Sequence, residues 1–228
     1  MKIGILQTGL VPSELAPEHG QYKDMFEALL APKGHSFQTW SVVENDFPQG
    51  PEDAKGWLIT GSRHGAYEDH PWIPPLEELI RAIRDSGRPL VGVCFGHQII
   101  AQALGGRVEK FAGGWSVGAQ DYSFPEGTRR IHAWHQDQVV EVPEGARTLA
   151  KSDFCAHAAL AYGDHIYTVQ PHPEFDDAFI QGLIESRGPG VVPDDQLEAA
   201  RGSLGGRLDS AELADQFDRV FRGGRVEA

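Results

Sequence analysis

The sequence predicts an α/β fold: a three-layer sandwich with a mostly parallel central sheet, helices on both faces and a small antiparallel strand insertion. Three observations carry this. The apolar runs "KIGILQ" (2–7), "KGWLIT" (55–60) and "PLVGVC" (89–94) are short, β-prone and end in turn or polar residues, as buried parallel strands do. Amphipathic helical stretches lie between and after them. Beyond residue 105 the texture changes to short strands and turns.

Along the chain, "QYKDMFEALLA" (21–31) sets Met25, Phe26, Leu29 and Leu30 on one helical stripe, which Pro32 and Gly34 end. "PPLEELIRAIRDSG" (74–87) repeats the pattern with Leu76, Leu79, Ile80 and Ile83. Next come "GGRVEKF", "VGAQDYSF", "QVVEV", "RTLAKS", "CAHAALAY" and "HIYTVQ", which read as antiparallel strands before or beside the last strand of the main sheet. A helical tract starts near Asp176, breaks at the loop "SRGPGVVPDD" (186–195) and resumes in "DQLEAARGSL" and "SAELADQFDRVFRG". With no repeat and no low-complexity tract, residues 1–228 read as one domain, with 186–228 as a C-terminal loop and helices.

At 40% hydrophobic residues the chain can bury a sizeable core. Its formal charge of −13 argues against a phosphate backbone or an anionic membrane as partner. No apolar run approaches the roughly 20 residues a membrane span needs. Two cysteines, Cys94 and Cys155, are too few for a disulfide scaffold. The expectation is a cytoplasmic protein with a free thiol.

In "PLVGVCFGHQII", Leu90, Val91 and Val93 close a strand, and Ile99, Ile100 and Ala103 open a helical stripe. Gly92, Cys94 and Gly96 would therefore sit at a strand-to-helix turn, where small residues permit the tight backbone that exposes a nucleophile. The positive end of the helix would favour the thiolate. From this pattern alone Cys94 is either a nucleophile or a small buried hydrophobe. A second segment, "TVQPHPEF" (168–175), follows another strand and offers His172 and Glu174 two residues apart. Thiol, imidazole and carboxylate are the parts of a thiolate–imidazolium pair, and they need to meet only in space.

These two segments make the chain resemble the class I glutamine amidotransferases, including the GMP-synthase-type glutaminase domain and the stand-alone γ-glutamyl-peptidase-like branch. The family pattern G-x-C-x-G-x-Q matches Gly92, Cys94, Gly96 and Gln98, and its His-Pro-Glu matches His172, Pro173 and Glu174. The resemblance spans about residues 1–185 and implies a flavodoxin-like glutamine amidotransferase fold. It also implies a triad of Cys94 as nucleophile, His172 as base and then acid, and Glu174 orienting His172. An α/β cysteine peptidase with a Cys-His dyad at successive positions is excluded, because Phe95 follows the cysteine. His97, three residues on along the same helix, is expected to pack or hydrogen-bond.

Oxyanion donors are expected from Phe95 N–H and from Gly61-Ser62, although "TGSRHGAYEDHPWI" departs from the family's usual Gly-Gly-Pro or Gly-Pro. For the substrate the resemblance implies Gln98, the stretch Trp115-Ser116-Val117-Gly118, and His135 and Asp137. "HAWHQDQV" fits a strand–turn–strand equally well, and Trp115 an aromatic cover on the core. His132 and His135 would face opposite sides of a strand, so no metal is expected there. Cys155, in the strand-like "FCAHAALAY", reads as structural. The expected reaction is cleavage of the γ-carbonyl C–N bond of glutamine or a γ-glutamyl compound through a glutamyl thioester, without a cofactor. The partner is a small molecule, with or without a synthetase subunit; the alternatives are a stand-alone γ-glutamyl peptide hydrolase and a non-catalytic glutamine-binding subunit.

Overall fold

The computed structural model describes residues 1–224 and 226; positions 225, 227 and 228 of the predicted C-terminal segment lie outside the described residues. In chain order the elements are β1 (Lys2–Leu6), α1 (Ala16–His19), α2 (Tyr22–Leu30), β2 (Ser36–Trp40), β3 (Gly56–Ile59), α3 (Ile73–Asp85), β4 (Leu90–Val93), α4 (Phe95–Ala103), β5 (Arg107–Lys110), β6 (Ser116–Phe124), β7 (Gly127–His135), β8 (Asp137–Glu141), β9 (Ala146–Ala150), β10 (Ala159–Tyr162), β11 (Ile166–Val169), α5 (Asp177–Ser186), α6 (Asp194–Gly202) and α7 (Ser210–Phe221). The main sheet has the order β2-β1-β3-β4-β11-β10-β9. Its first five strands are parallel, and β10 and β9 continue it antiparallel. The predicted insertion is two antiparallel ladders, β5 with β8 and β6 with β7.

Side chains alternate across the sheet and build two cores. Leu58, Val91 and Val93 face Phe26 and Leu30 of α2 and Phe217 and Phe221 of α7. Trp57, Ile59 and Leu90 face Ile80 and Ile83 of α3 and Ile99 and Ile100 of α4. A third cluster joins α5 and α6 to Val117 and Phe175. The two predicted helical stripes hold with one adjustment each: Tyr22, Phe26 and Leu30 are the buried face of α2, and Leu79 is only partly buried in α3.

Three expectations need correction. The strand in "HIYTVQ", read as antiparallel, is β11, which pairs parallel with β4 inside the main sheet, because its wholly buried pattern fits a central strand. The edge strand β2 was not foreseen, because "SFQTW" is only half covered and carries Ser and Gln on its open side. Cys155 is not on a strand; it lies in a turn before β10, closed by Ser152 N–H to Cys155 O at 2.8 Å and Cys155 N–H to Ser152 Oγ at 3.0 Å. It is buried all the same, and burial pushes its thiol up to about 12. Among the described residues no helix is long and apolar enough to cross a membrane.

Candidate active site

Cys94, Gly61-Ser62 and His172 follow the carboxyl ends of β4, β3 and β11, which are neighbours in the sheet. In open α/β sheets this end carries the ligand crevice. Cys94 is the turn between β4 and α4, with φ 52° and ψ −103°, a conformation costing a non-glycine residue about 1–3 kcal/mol. Its N–H is held by Val169 O at 2.9 Å, and its carbonyl accepts the Gln98 N–H at 3.0 Å. The flanking glycines are steric necessities. A Cβ on Gly92 would lie 2.6 Å from Gly96 O, and one on Gly96 would lie 2.3 Å from Ile59 O. Phe95 opens α4, so its N–H has no acceptor within the helix.

The loop after β3 is tied down from the other side. Thr8 Oγ1 donates to Thr60 O at 2.9 Å and lies 3.1 Å from Gly61 O, while Gly96 N–H bonds Thr60 O at 3.1 Å. A Cβ on Gly61 would stand 3.0 Å from His172 Cε1 and 3.8 Å from Cys94 Cβ, so the predicted oxyanion loop, the thiol and the imidazole converge.

His172 is fixed by three contacts: its N–H bonds His132 O at 2.8 Å, Nδ1 lies 2.7 Å from Glu174 Oε1, and the ring stacks on Phe175 at 4.0 Å and 5°. The Glu174 side chain is wholly buried. Burial of the ring disfavours its charge, but the charge and hydrogen bond of Glu174 together with the neighbouring Cys94 outweigh this and raise His172 above the ordinary histidine range, which favours imidazolium beside the sulfur.

His97 behaves differently. It is fully buried in α4, its Nδ1 lies 2.8 Å from Thr168 Oγ1 on β11, and burial pushes it down to about 3, so it is a neutral strut between helix and sheet.

Cys94 and His172 open onto a cavity of about 600 Å³, also lined by Gln98, Trp115, His135 and Asp137. Gln98 Nε2 donates to Asp137 O at 2.9 Å and to Gln170 Oε1 at 3.2 Å. His135 Nδ1 sits 3.2 Å from the same carbonyl, and burial holds its ring at about 3. Ser116 and Val117 follow Trp115 into β6 and are buried, and Val117 packs with α5 and α6. His132 is buried with Nε2 2.8 Å from Asp177 Oδ1 and away from His135, on the opposite side of β7 as expected.

Several wall residues carry no signal in the sequence. Tyr67 reaches from the loop after β3 to the neighbourhood of Asp137, whose carboxyl burial raises. Arg63, Lys110 and Arg187 bring positive charge to the wall of an acidic protein, from three segments too far apart to read as a patch. The loop 186–193 supplies Arg187 and Val191 to this wall, and α7 packs with α2 on one face of the sheet.

The family model for glutamine amidotransferase class-I matches residues 22–178, more than half of the chain. The chain belongs to the class I glutamine amidotransferase family. Gamma-glutamyl peptidase 4 of Arabidopsis thaliana is 32% identical over 190 residues, covering 76% of each chain. A glutamine-hydrolyzing GMP synthase of Burkholderia mallei is 34% identical over 142 residues, which are 53% of this chain and 24% of the synthase. Among solved structures, a glutamine amidotransferase from Methylobacillus flagellatus has the same fold, with a TM-score of 0.73 at 20% identity over 100% of this chain and 96% of that one.

Proposed function

We propose that this class I amidotransferase homologue cleaves the γ-carbonyl C–N bond of glutamine or a γ-glutamyl compound, with Cys94, His172 and Glu174 as its catalytic triad. The observation that carries the reading is the buried His172–Glu174 pair at 2.7 Å beside a cysteine held at positive φ. Cys94 Sγ attacks the γ-carbonyl carbon. The developing oxyanion takes hydrogen bonds from Phe95 N–H and from the Gly61-Ser62 backbone. The C–N bond breaks as the leaving nitrogen takes the proton from His172. Water then adds to the thioester and gives a proton to His172, the C–S bond breaks, and glutamate leaves. Glu174 keeps the imidazole in the orientation that serves both half-reactions. Gln98, Trp115, His135 and Asp137, which line the cavity, surround the amino-acid end of the substrate, and Ser116 and Val117, expected beside them, sit behind Trp115 in the buried start of β6 and support that wall.

The cavity favours the stand-alone branch. Its roughly 600 Å³ lies within the range that holds drug-sized ligands, about 300–1,000 Å³, and exceeds what glutamine fills. Its cations suit the carboxylate of a peptide beyond the scissile bond. The relative named gamma-glutamyl peptidase is consistent with this, and the GMP synthase relative keeps a synthetase subunit as the competing reading. The test is glutamate release by the purified protein alone from glutamine and from γ-glutamyl dipeptides. The expected kcat/KM is about tenfold or more higher for a dipeptide, a difference of roughly 1.4 kcal/mol, with release abolished in Cys94→Ser. Higher kcat/KM for glutamine would favour the ammonia-donor reading. Release that survives Cys94→Ser would overturn the mechanism.

A further inference from the structure

The loop between β3 and α3 carries a second cluster that the proposed reaction does not use. His64 Nδ1, Glu68 Oε2 and His70 Nε2 all lie within 4.8 Å of one another. Glu68 Oε2 is 3.4 Å from the His64 nitrogen and 2.6 Å from the His70 nitrogen. Among the described residues this is the one grouping of three such side chains whose donor atoms converge. Its signal, H-x3-E-x-H, is present in "HGAYEDH" but has no meaning until the loop is folded.

The loop's own turns hold the donors together. His64 N–H bonds Ser62 Oγ at 3.2 Å, Glu68 N–H bonds Gly65 O at 3.1 Å, and Ile73 N–H bonds His70 O at 3.0 Å. The His70 ring lies parallel to Trp72 at 5.7 Å, and the buried Trp72 packs on Phe95 at 5.5 Å. The His64 and His70 rings meet edge to face at 4.3 Å. The cluster is thus braced against the start of α4 rather than hanging free in solvent.

We propose that His64, Glu68 and His70 bind one transition-metal dication of the zinc type at the rim of the cavity. Two imidazoles and one carboxylate form a donor set that suits zinc and disfavours magnesium or calcium, which take oxygen ligands. Zinc–nitrogen bonds of about 2.0–2.1 Å in tetrahedral geometry place ligand atoms about 3.3 Å apart. The pairs at 2.6 and 3.4 Å bracket that spacing, and rotation of the half-exposed side chains brings the widest pair in. A fourth position stays open on the solvent side, next to the cavity wall that His64 and Glu68 share.

The experiment is calorimetric titration of the full chain with Zn²⁺ alone, in a Cys94→Ser background so that the thiol cannot serve as ligand. One equivalent is expected. His70→Ala in the same background should weaken binding by about tenfold or more, and Glu68→Gln by a similar factor. Added Mg²⁺ in large excess should not compete. Zn²⁺ should raise the melting temperature of the background protein but leave that of His70→Ala unmoved, and Co²⁺ should give the visible absorption of a tetrahedral site only when His70 is present. Equal affinity with and without His70, competition by Mg²⁺, or no saturable binding by the background protein would each overturn the proposal.

Discussion

The His172→Asn protein is expected to fold and to lose roughly a thousandfold in kcat/KM for γ-glutamyl cleavage, the scale of a general acid–base group. Asparagine is the informative choice because Glu174 is fully buried and His172 is its partner at 2.7 Å. Removing the partner outright would strand a buried charge at a cost of about 3–5 kcal/mol, so loss of activity in His172→Ala could follow from misfolding. The asparagine amide can still donate to Glu174 Oε1 while lacking a group that shuttles protons. Steady-state kinetics paired with a thermal melt checks this. A His97→Asn protein melting within a few degrees of it should keep most of its activity, because the buried His97 ring is committed to Thr168 of β11 and does not line the cavity. Activity loss in His97→Asn that matches His172→Asn at equal folding would mean that the base had been assigned to the wrong histidine.

Gly96→Ala is expected to destabilise the fold by about 3 kcal/mol, which for a chain of this size is roughly 6–12 °C in melting temperature. The new Cβ would lie 2.3 Å from Ile59 O and 2.9 Å from Ile59 C, both backbone atoms of the central strand β3. Neither can turn aside as a side chain would. The relief is for α4 to move off the sheet, which carries Phe95 N–H and Cys94 with it, so activity should fall as well. Gly202→Ala is the control: a Cβ there meets nothing within 4 Å, and its melting temperature should stay within a degree or two of the parent. Comparable losses in the two variants would show that glycine at 96 is not required by packing.

What the sequence made legible was what had to be written locally. Gly92, Cys94 and Gly96 signal their turn because two backbones pass too close for any Cβ, and His172 and Glu174 signal theirs because they stand two residues apart on one stiffened segment. The parallel strands β1, β3 and β4 were legible because burial on both faces makes them apolar almost throughout, whereas β11 was read as a strand but not as a parallel one, since its own apolar run does not say which neighbour it pairs with. The edge strand β2 escaped because it is buried on one side only. The cavity wall escaped for another reason. Tyr67, Arg63, Lys110 and Arg187 come from loops whose approach depends on how the ladders β5–β8 and β6–β7 sit over the sheet's end, and no local pattern encodes that. The same holds for His64, Glu68 and His70, which become a cluster only through the turn that Gly65 O closes on Glu68 N–H and the stacking of His70 on Trp72.

The measurement closest to the central claim is peptide mass spectrometry on protein quenched in acid during turnover of a γ-glutamyl dipeptide. The expected result is one glutamyl group on the peptide containing Cys94, labile to hydroxylamine, and none on the peptide containing Cys155, whose thiol burial holds at about 12. A glutamyl group on a different residue, or turnover that continues at full rate with Cys94 alkylated, would contradict the assignment of Cys94 as the nucleophile.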